Sequence, residues 1–360
     1  MRSTEAWPKC RSGTEHRAIS TDLAPRRSVL TICRAASARF GQSGALSGMQ
    51  HLATSTAQPA PRNRRLGVTL AGDINDGRRC LADSARLDSM ELSDLPLFDP
   101  RDALRVERND LLALLDGLTE VEWVAPTDAG HWRVKDVALH LLDDDLGWLS
   151  RGRDGDMTGL LPTDGDYREF VRSLDAKNER WVVGALGLSR RVVVDLLRWT
   201  AGEVHEYHAS LDLEGPSGVI WASGGTVPRW FDLCRDLTER WVHQQHIRDA
   251  VGQPGEHDRF LPEVLGTFVW AFPHQYEAEA PTGTTVQIGL GTGGTWHLVR
   301  WSDCWKLQPG PASNPAATLN LHETDAWRQL TGLQVAEDAI STDGPDQLVH
   351  PLLRVRGIIA

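Results

Sequence analysis

No apolar run in the sequence approaches about 18 residues, the length a helix needs to cross a bilayer, so no membrane span is expected. Cysteine is scarce. The five cysteines, at 10, 33, 80, 234 and 304, form no Cys-x-x-Cys pair and no even spacing. That excludes a thiolate zinc knuckle and a disulfide scaffold and suggests a reducing cytoplasm. Basic charge is in the minority, with 38 Lys+Arg against 49 Asp+Glu and a net charge of −11, which argues against nucleic acid as a partner. No internal repeat is found. What the chain does have is apolar content, 41% of 360 residues, enough for real cores in two or three domains.

The average charge conceals an asymmetry. Residues 1–89 carry 14 Lys+Arg against 7 Asp+Glu, a net of +7, whereas residues 90–360 carry 24 against 42, a net of −18. The first segment also holds one of the fourteen tryptophans and three of the five cysteines, and no helical or strand period runs through it. It reads as disordered, or as foreign to the fold. Within it, "PRRSVLTICRAASA" (25–38) resembles a twin-arginine export signal, but the apolar run is short and Arg34 breaks it. A start codon placed too early accounts for the segment better. Met90 opens "MELSDLPLFDPRDALRVERNDLLALLDGL", where amphipathic pattern begins at once.

From there, helical periodicity covers about 100–118, 132–151, 166–187, 189–211 and 228–251, with Gly- and Pro-containing joints. After "GQPGEHD" (252–258) the pattern changes. A helix near 262–279 is followed by alternating stretches, "TTVQIGL", "TWHLVRW", "KLQPG" and "ATLNL", then a helical "TDAWRQLTG" and a closing "LLRVRGIIA". The division expected is an extension at 1–89, a helical bundle at 90–254 and a small α+β domain at 255–360.

"TERWVHQQHIRD" (238–249) sets Glu239, His243 and His246 within a narrow arc of one helix, at about 0°, 40° and −20°. The apolar residues Trp230, Leu233, Cys234, Leu237 and Trp241 gather near the opposite side. The plain interpretation is the solvated face of an amphipathic helix. The alternative is a metal site, since neutral imidazole and carboxylate suit Zn²⁺, but two ligands on one helix need a third from elsewhere. In "HWRVKDVALHLLDDDLGWLSRGRDG" (131–155), His140 lies opposite the stripe of Ala138, Leu139, Leu142, Leu146 and Leu149, flanked four residues away by Asp136 and Asp144. Such a histidine is ordinarily a surface residue. An acidic neighbour would instead orient its second nitrogen behind a metal.

That stretch, with "ERWVHQQHIRDAVG" (239–252) and "DAKNERWVVGALGLS" (175–189), resembles the DinB-like, mycothiol-dependent maleylpyruvate isomerase family, from about residue 95 to the C-terminus. The resemblance implies a DinB-like four-helix bundle followed by a small α+β domain. It also implies a divalent metal, usually zinc, held by His140, Glu239 and His243. Two departures stand out. Arg133 replaces the family's Thr or Ser helix cap. His246 stands where relatives usually have Asp, which raises a fourth ligand that would close the open position catalysis needs.

By that resemblance the co-substrate is mycothiol, a low-molecular-weight thiol. Bound to the metal it would be a thiolate, able to add to an electrophilic alkene and leave again after bond rotation, or to remain as a conjugate. The function implied is isomerisation or S-transfer on a small electrophile. A metal-dependent hydrolase, or a non-catalytic metal- or ligand-binding protein, uses the same residues and stays open. Arg300, Arg354 and Arg356 are candidate cations for an anionic substrate or cofactor. "GEVHEYHASLDLEG" (202–215) is taken as surface, "GLGTGGT" (289–295) as a hairpin turn, and Cys234 as core.

Overall fold

The computed structural model describes residues 98–159, 161, 167–217, 227–255 and 259–357. The expectations for residues 1–89 lie outside them. Five helices follow one another: α1 (Arg101–Gly117), α2 (Val134–Gly147), α3 (Tyr167–Ala185), α4 (Arg190–Ala209) and α5 (Arg229–Ala250). α2 runs on into a π-helical turn, Trp148–Arg153. Between α4 and α5 lies a short antiparallel pair, β1 (Pro216–Ser217) and β2 (Val227–Pro228).

Local chemistry sets the helix boundaries. Arg133 offers no side-chain cap to α2, but the Arg133 backbone N–H donates to Asp136 Oδ2 at 3.0 Å, so Asp136 closes the first turn instead. Asp136 is thereby spoken for as a cap, not as the partner of His140. α1 presents Leu104, Leu111, Leu114 and Leu115 on one face. These join Val137 and Leu141 of α2, Val193 and Leu197 of α4, and Ile247 of α5 in one apolar core, apart from Leu104, which packs in a second.

That second core is built mostly from the chain beyond α5, with one face of α5 itself. Helices α6 (Leu261–Phe268) and α7 (Phe272–Gln275) replace the single helix expected over 262–279, interrupted by a 3₁₀ turn at Val269–Ala271. A five-stranded sheet follows, in the order β5-β4-β3-β6-β7. Its strands are β3 (Thr285–Gly289), β4 (Thr295–Arg300), β5 (Trp305–Pro309), β6 (Ala317–Leu321) and β7 (Ile340–Asp343). β3 and β6 run parallel and the other neighbours antiparallel. β7 has no apolar alternation and was not legible in the sequence. Val286 and Ile288 alternate with half-buried neighbours and pack with Leu298, Leu319 and the helices α8 (Glu323–Leu330) and α9 (Asp346–Arg354). "GLGTGGT" is the β3–β4 connection, as expected.

α5 divides its faces between the two cores. Phe231, Leu233, Cys234, Leu237 and Trp241 pack with Leu265, Phe268 and Trp327 of the second core. The polar face of α5 therefore turns into the bundle, and every residue from Arg240 to Ile247 is buried. Cys234 is a buried free thiol, packed in the second core as expected. Among the described residues no helix is long and apolar enough to cross a membrane.

Candidate metal centre

The face of α5 that reads as solvated is sealed. His243 and His246 are each 4% exposed and His140, on α2, is 3% exposed, so neither the water-facing interpretation nor an open cleft describes them. Burying three imidazoles beside a carboxylate demands partners for each of them.

The structure brings His140, Glu239 and His243 together. His140 Nε2 lies 2.8 Å from Glu239 Oε1, and His243 Nε2 lies 3.2 Å from the same oxygen. One ligand atom from each falls within 4.8 Å of the others, a little wider than the roughly 3.4 Å between donors of a tetrahedral ion, so a small side-chain movement would close the set around one ion. Two imidazoles and a carboxylate are a donor set that suits Zn²⁺, and three ligands leave one coordination position. Trp132 covers the two rings, its centroid 5.0 Å from that of His140 and 6.3 Å from that of His243. The Trp132 indole N–H is anchored at 3.0 Å to Glu179 Oε2 on α3.

Asp144 is not placed as expected. Its Oδ2 lies 3.6 Å from His140 Nε2, the nitrogen that already faces Glu239, so it does not orient the ring from behind. Asp144 Oδ2 and His140 Nδ1 are both buried without a hydrogen-bond partner among the described residues. The helical geometry explains the error: four residues set Asp144 beside the ring, and which nitrogen it meets depends on the rotamer, which the sequence does not display.

His246 stands behind His243, outside the converging donors. The two Nδ1 atoms are 3.3 Å apart, so one must carry the proton and the other accept it. Burial, with the charges of His243 and Arg328 adding to it, lowers the His246 pKa to about 3, which keeps that ring neutral. A neutral His246 with its proton on Nε2 accepts from His243 Nδ1–H and leaves His243 Nε2 free toward Glu239.

Charge around the site follows from burial. Burial pushes the His140 pKa down, but the carboxylates of Asp144 and Glu239 outweigh it and raise it to about 9. Burial pushes Glu239 up, while its bonds to both imidazoles hold it well below the usual carboxylate range. Burial raises Asp144, which shares the pocket with the Glu239 charge. Arg235, one turn before Glu239 on α5, was missed in the sequence. Burial works against its charge, and the carboxylates of Asp232, Asp236, Glu239 and Asp144 outweigh it. The signal was available, because residue 235 precedes 239 by the same four positions that separate 239 from 243.

The cations proposed from the second region are elsewhere. Arg300 ends β4 with its guanidinium 5.8 Å from the Trp305 ring, and its Nε is buried without a partner among the described residues. Arg354 is exposed, and Arg356 donates to the carbonyls of Leu353 and Val355. The second-region side chains that reach α5 beside His246 are Trp327, 6.1 Å from its ring, and Arg328, which pairs with Asp249. In the 202–215 stretch His205 is exposed and Glu203 pairs with Arg153, but His208 is buried against Trp148.

Fold and site together define a helical bundle that holds a His–Glu–His cluster between two of its helices, followed by a sheet-containing region. Residues 104–248 match the family model described as the mycothiol maleylpyruvate isomerase N-terminal domain, and for that segment the resemblance carried by α2 and α5 is shown. Among solved structures, the crystal structure of the mycothiol-dependent maleylpyruvate isomerase is similar at 12% identity and a TM-score of 0.47, covering 71% of this chain and 95% of its own. A histidine-to-alanine mutant of the mycothiol-dependent maleylpyruvate isomerase gives a TM-score of 0.44 at the same identity and coverage. No curated protein matches the sequence.

Proposed function

We propose that the protein is a metal-dependent enzyme that uses the thiolate of mycothiol to isomerise, or to form a thiol conjugate of, a small electrophilic substrate. The observation that carries this reading is the convergence of His140, Glu239 and His243, drawn from two helices about 100 residues apart in sequence. The family match over residues 104–248 supports the choice of thiol. Zinc is the proposed ion, from the donor set.

When bound, Zn²⁺ would hold a thiol or a water as its deprotonated form at neutral pH. The chain's own residues do the rest. His140 and His243, both buried, present Nε2, and the half-buried Glu239 presents Oε1. The bonds from both imidazoles keep Glu239 ionised. Trp132 shields one side from water. Asp144 Oδ2, 3.6 Å from His140 Nε2 and without a hydrogen-bond partner among the described residues, would take the proton given up by the thiol. Addition of the thiolate to a conjugated alkene leaves a single bond free to rotate. Expulsion of the same thiolate gives the isomer, and protonation of the carbanion instead gives the conjugate.

The test is turnover of a cis-configured conjugated acid by the zinc-loaded protein with and without mycothiol. Turnover only with the thiol supports the reading, whereas equal turnover without it overturns the thiol-dependent reading in favour of a thiol-free reaction. We propose also that residues 90–254 form the metal-binding domain and 255–360 a second domain, with 1–89 outside the fold. A chain beginning at Met90 should then melt with the same cooperative transition and carry the same metal, and a substantially lower melting temperature would place 1–89 within the fold.

A further inference from the structure

His140 lacks the bond that ordinarily steers a metal-bound imidazole. A ligating histidine usually gives its second ring N–H to a carboxylate, a carbonyl or water, which fixes the plane of the ring. His243 has such a neighbour in His246 Nδ1, at 3.3 Å. His140 Nδ1 is buried and has no hydrogen-bond partner among the described residues. The contact of Nε2 with Glu239 alone leaves the ring plane unfixed. Packing has to supply the orientation.

That packing comes from Trp132. Its ring lies 5.0 Å from that of His140 and 6.3 Å from that of His243, tilted by 42° and 38°, while the two imidazoles meet edge-on at 4.8 Å. The three rings brace one another. A local turn fixes the Trp132 backbone. Its N–H donates to the Ala129 carbonyl at 3.1 Å, and its carbonyl accepts from the Thr127 N–H at 3.0 Å and the Thr127 hydroxyl at 2.7 Å. The turn sets where the side chain begins, but not how the indole is rotated. An indole has one polar group, its N–H, and here it donates to Glu179 Oε2 on α3 at 3.0 Å. His131 Nε2 lies 3.1 Å from the same oxygen, so Glu179 gathers two consecutive residues at the entry to α2. α3 is itself secured to the part of α2 that carries His140. The Trp181 N–H donates to the Leu139 carbonyl at 2.8 Å, and Lys177 pairs with Asp143. Glu179 thus reaches Trp132 from a helix docked beside the cluster.

We propose that Glu179 is a positioning residue for the metal cluster. By holding the Trp132 indole N–H it fixes the ring that keeps His140 Nε2 turned toward the ion, in place of the missing bond at Nδ1. The inference rests on the reading of His140, Glu239 and His243 as metal ligands. The link is geometric. It needs a hydrogen-bond acceptor at residue 179 rather than a charge, and the amide oxygen of glutamine supplies one.

The test is zinc affinity of the full-length protein, read by competition with a chromogenic chelator. The proteins compared are wild type, Glu179→Ala, Glu179→Gln, Trp132→Phe and the double variant Glu179→Ala with Trp132→Phe. Glu179→Ala should weaken zinc binding by about tenfold or more at unchanged stoichiometry. Its circular dichroism should not change, since alanine suits a helix and α3 keeps its bonds through Trp181 and Lys177. Glu179→Gln should stay within about twofold of wild type, because it keeps the acceptor. In the Trp132→Phe background there is no N–H to hold, so Glu179→Ala should change the affinity by less than about twofold. A loss under about threefold in Glu179→Ala would overturn the proposal. So would a Glu179→Gln variant as weak as Glu179→Ala, or an equal loss in both backgrounds; each of these outcomes leaves the metal site standing. A wild-type chain that binds no zinc would instead overturn the metal reading, and this inference with it.

Discussion

Two buried polar clusters lie within one residue of each other on α5, and they are built differently. Around Arg240, the pairs are closed. Asp145 accepts from Arg108 at 2.8 Å, Arg240 at 2.9 Å and Thr200, and Arg240 also meets Asp236 at 2.8 Å. Four helices are tied together, and two guanidiniums face two carboxylates. The leftover buried groups, Arg108 Nε and Nη1 and Arg240 Nη2, are donors alone and ligate nothing. Around Glu239, next along the helix, one carboxylate oxygen serves two imidazoles, and Asp144 Oδ2 is left over as an acceptor. The first arrangement has each charge paired and leaves over only donors among the described residues. The second has lone pairs converging on one point, and that difference separates scaffold from site more sharply than burial or charge, which the two share.

The comparison breaks most visibly at Asp145. Asp145→Ala leaves Arg108 and Arg240 buried opposite each other without their shared carboxylate, and the expected cost is on the order of 3–5 kcal/mol in urea unfolding. A loss under about 1 kcal/mol would show that this cluster is not scaffold.

His208 adds a group that belongs to neither cluster and acts through pH. Burial lowers its pKa to about 4, from about 6.5 in the unfolded chain. Between those values the unfolded chain binds a proton that the folded protein refuses, so stability falls as pH drops from about 6.5 toward 4. His208→Leu removes this limb. The gap between wild type and variant should grow by on the order of 3 kcal/mol over that window, with no pH-dependent difference above it. A gap that does not change with pH would mean that His208 titrates alike folded and unfolded.

A smaller effect sharpens the boundary of the site. With His246 as acceptor for His243 Nδ1–H, His246→Leu should weaken metal binding by about 10- to 100-fold without changing stoichiometry, and His246→Asp should restore affinity. Competition with a chromogenic chelator reads both. Loss of stoichiometric metal in His246→Asp would make His246 a fourth ligand.

The periodic parts of this molecule were open to reading. The five bundle helices fall within a few residues of the expected spans, because their apolar spacing is long and unbroken. The strands β3, β4, β5 and β6 alternate clearly; β7, "ISTD", does not, since it is an edge strand with one half-buried residue. The site was legible as a set of residues and not as an environment. Position around a helix set Glu239 beside His243, but burial depended on the apolar stripe of α5 leaving for the second core, a tertiary choice no local pattern records. The same limit hid the roles of Asp136 and Asp144, which resemble each other in spacing and differ only in what their carboxylates reach. Glu179 carried no signal of its own, because its partner Trp132 is 47 residues away.

Metal analysis of the purified full chain, beside His140→Ala, Glu239→Gln and His243→Ala, tests the central claim most directly. The wild-type protein should carry about one tightly bound zinc ion per chain, and each variant should lose it while keeping its helical circular dichroism. Zinc retained at full stoichiometry in all three variants, or a wild-type chain that binds none, would contradict it.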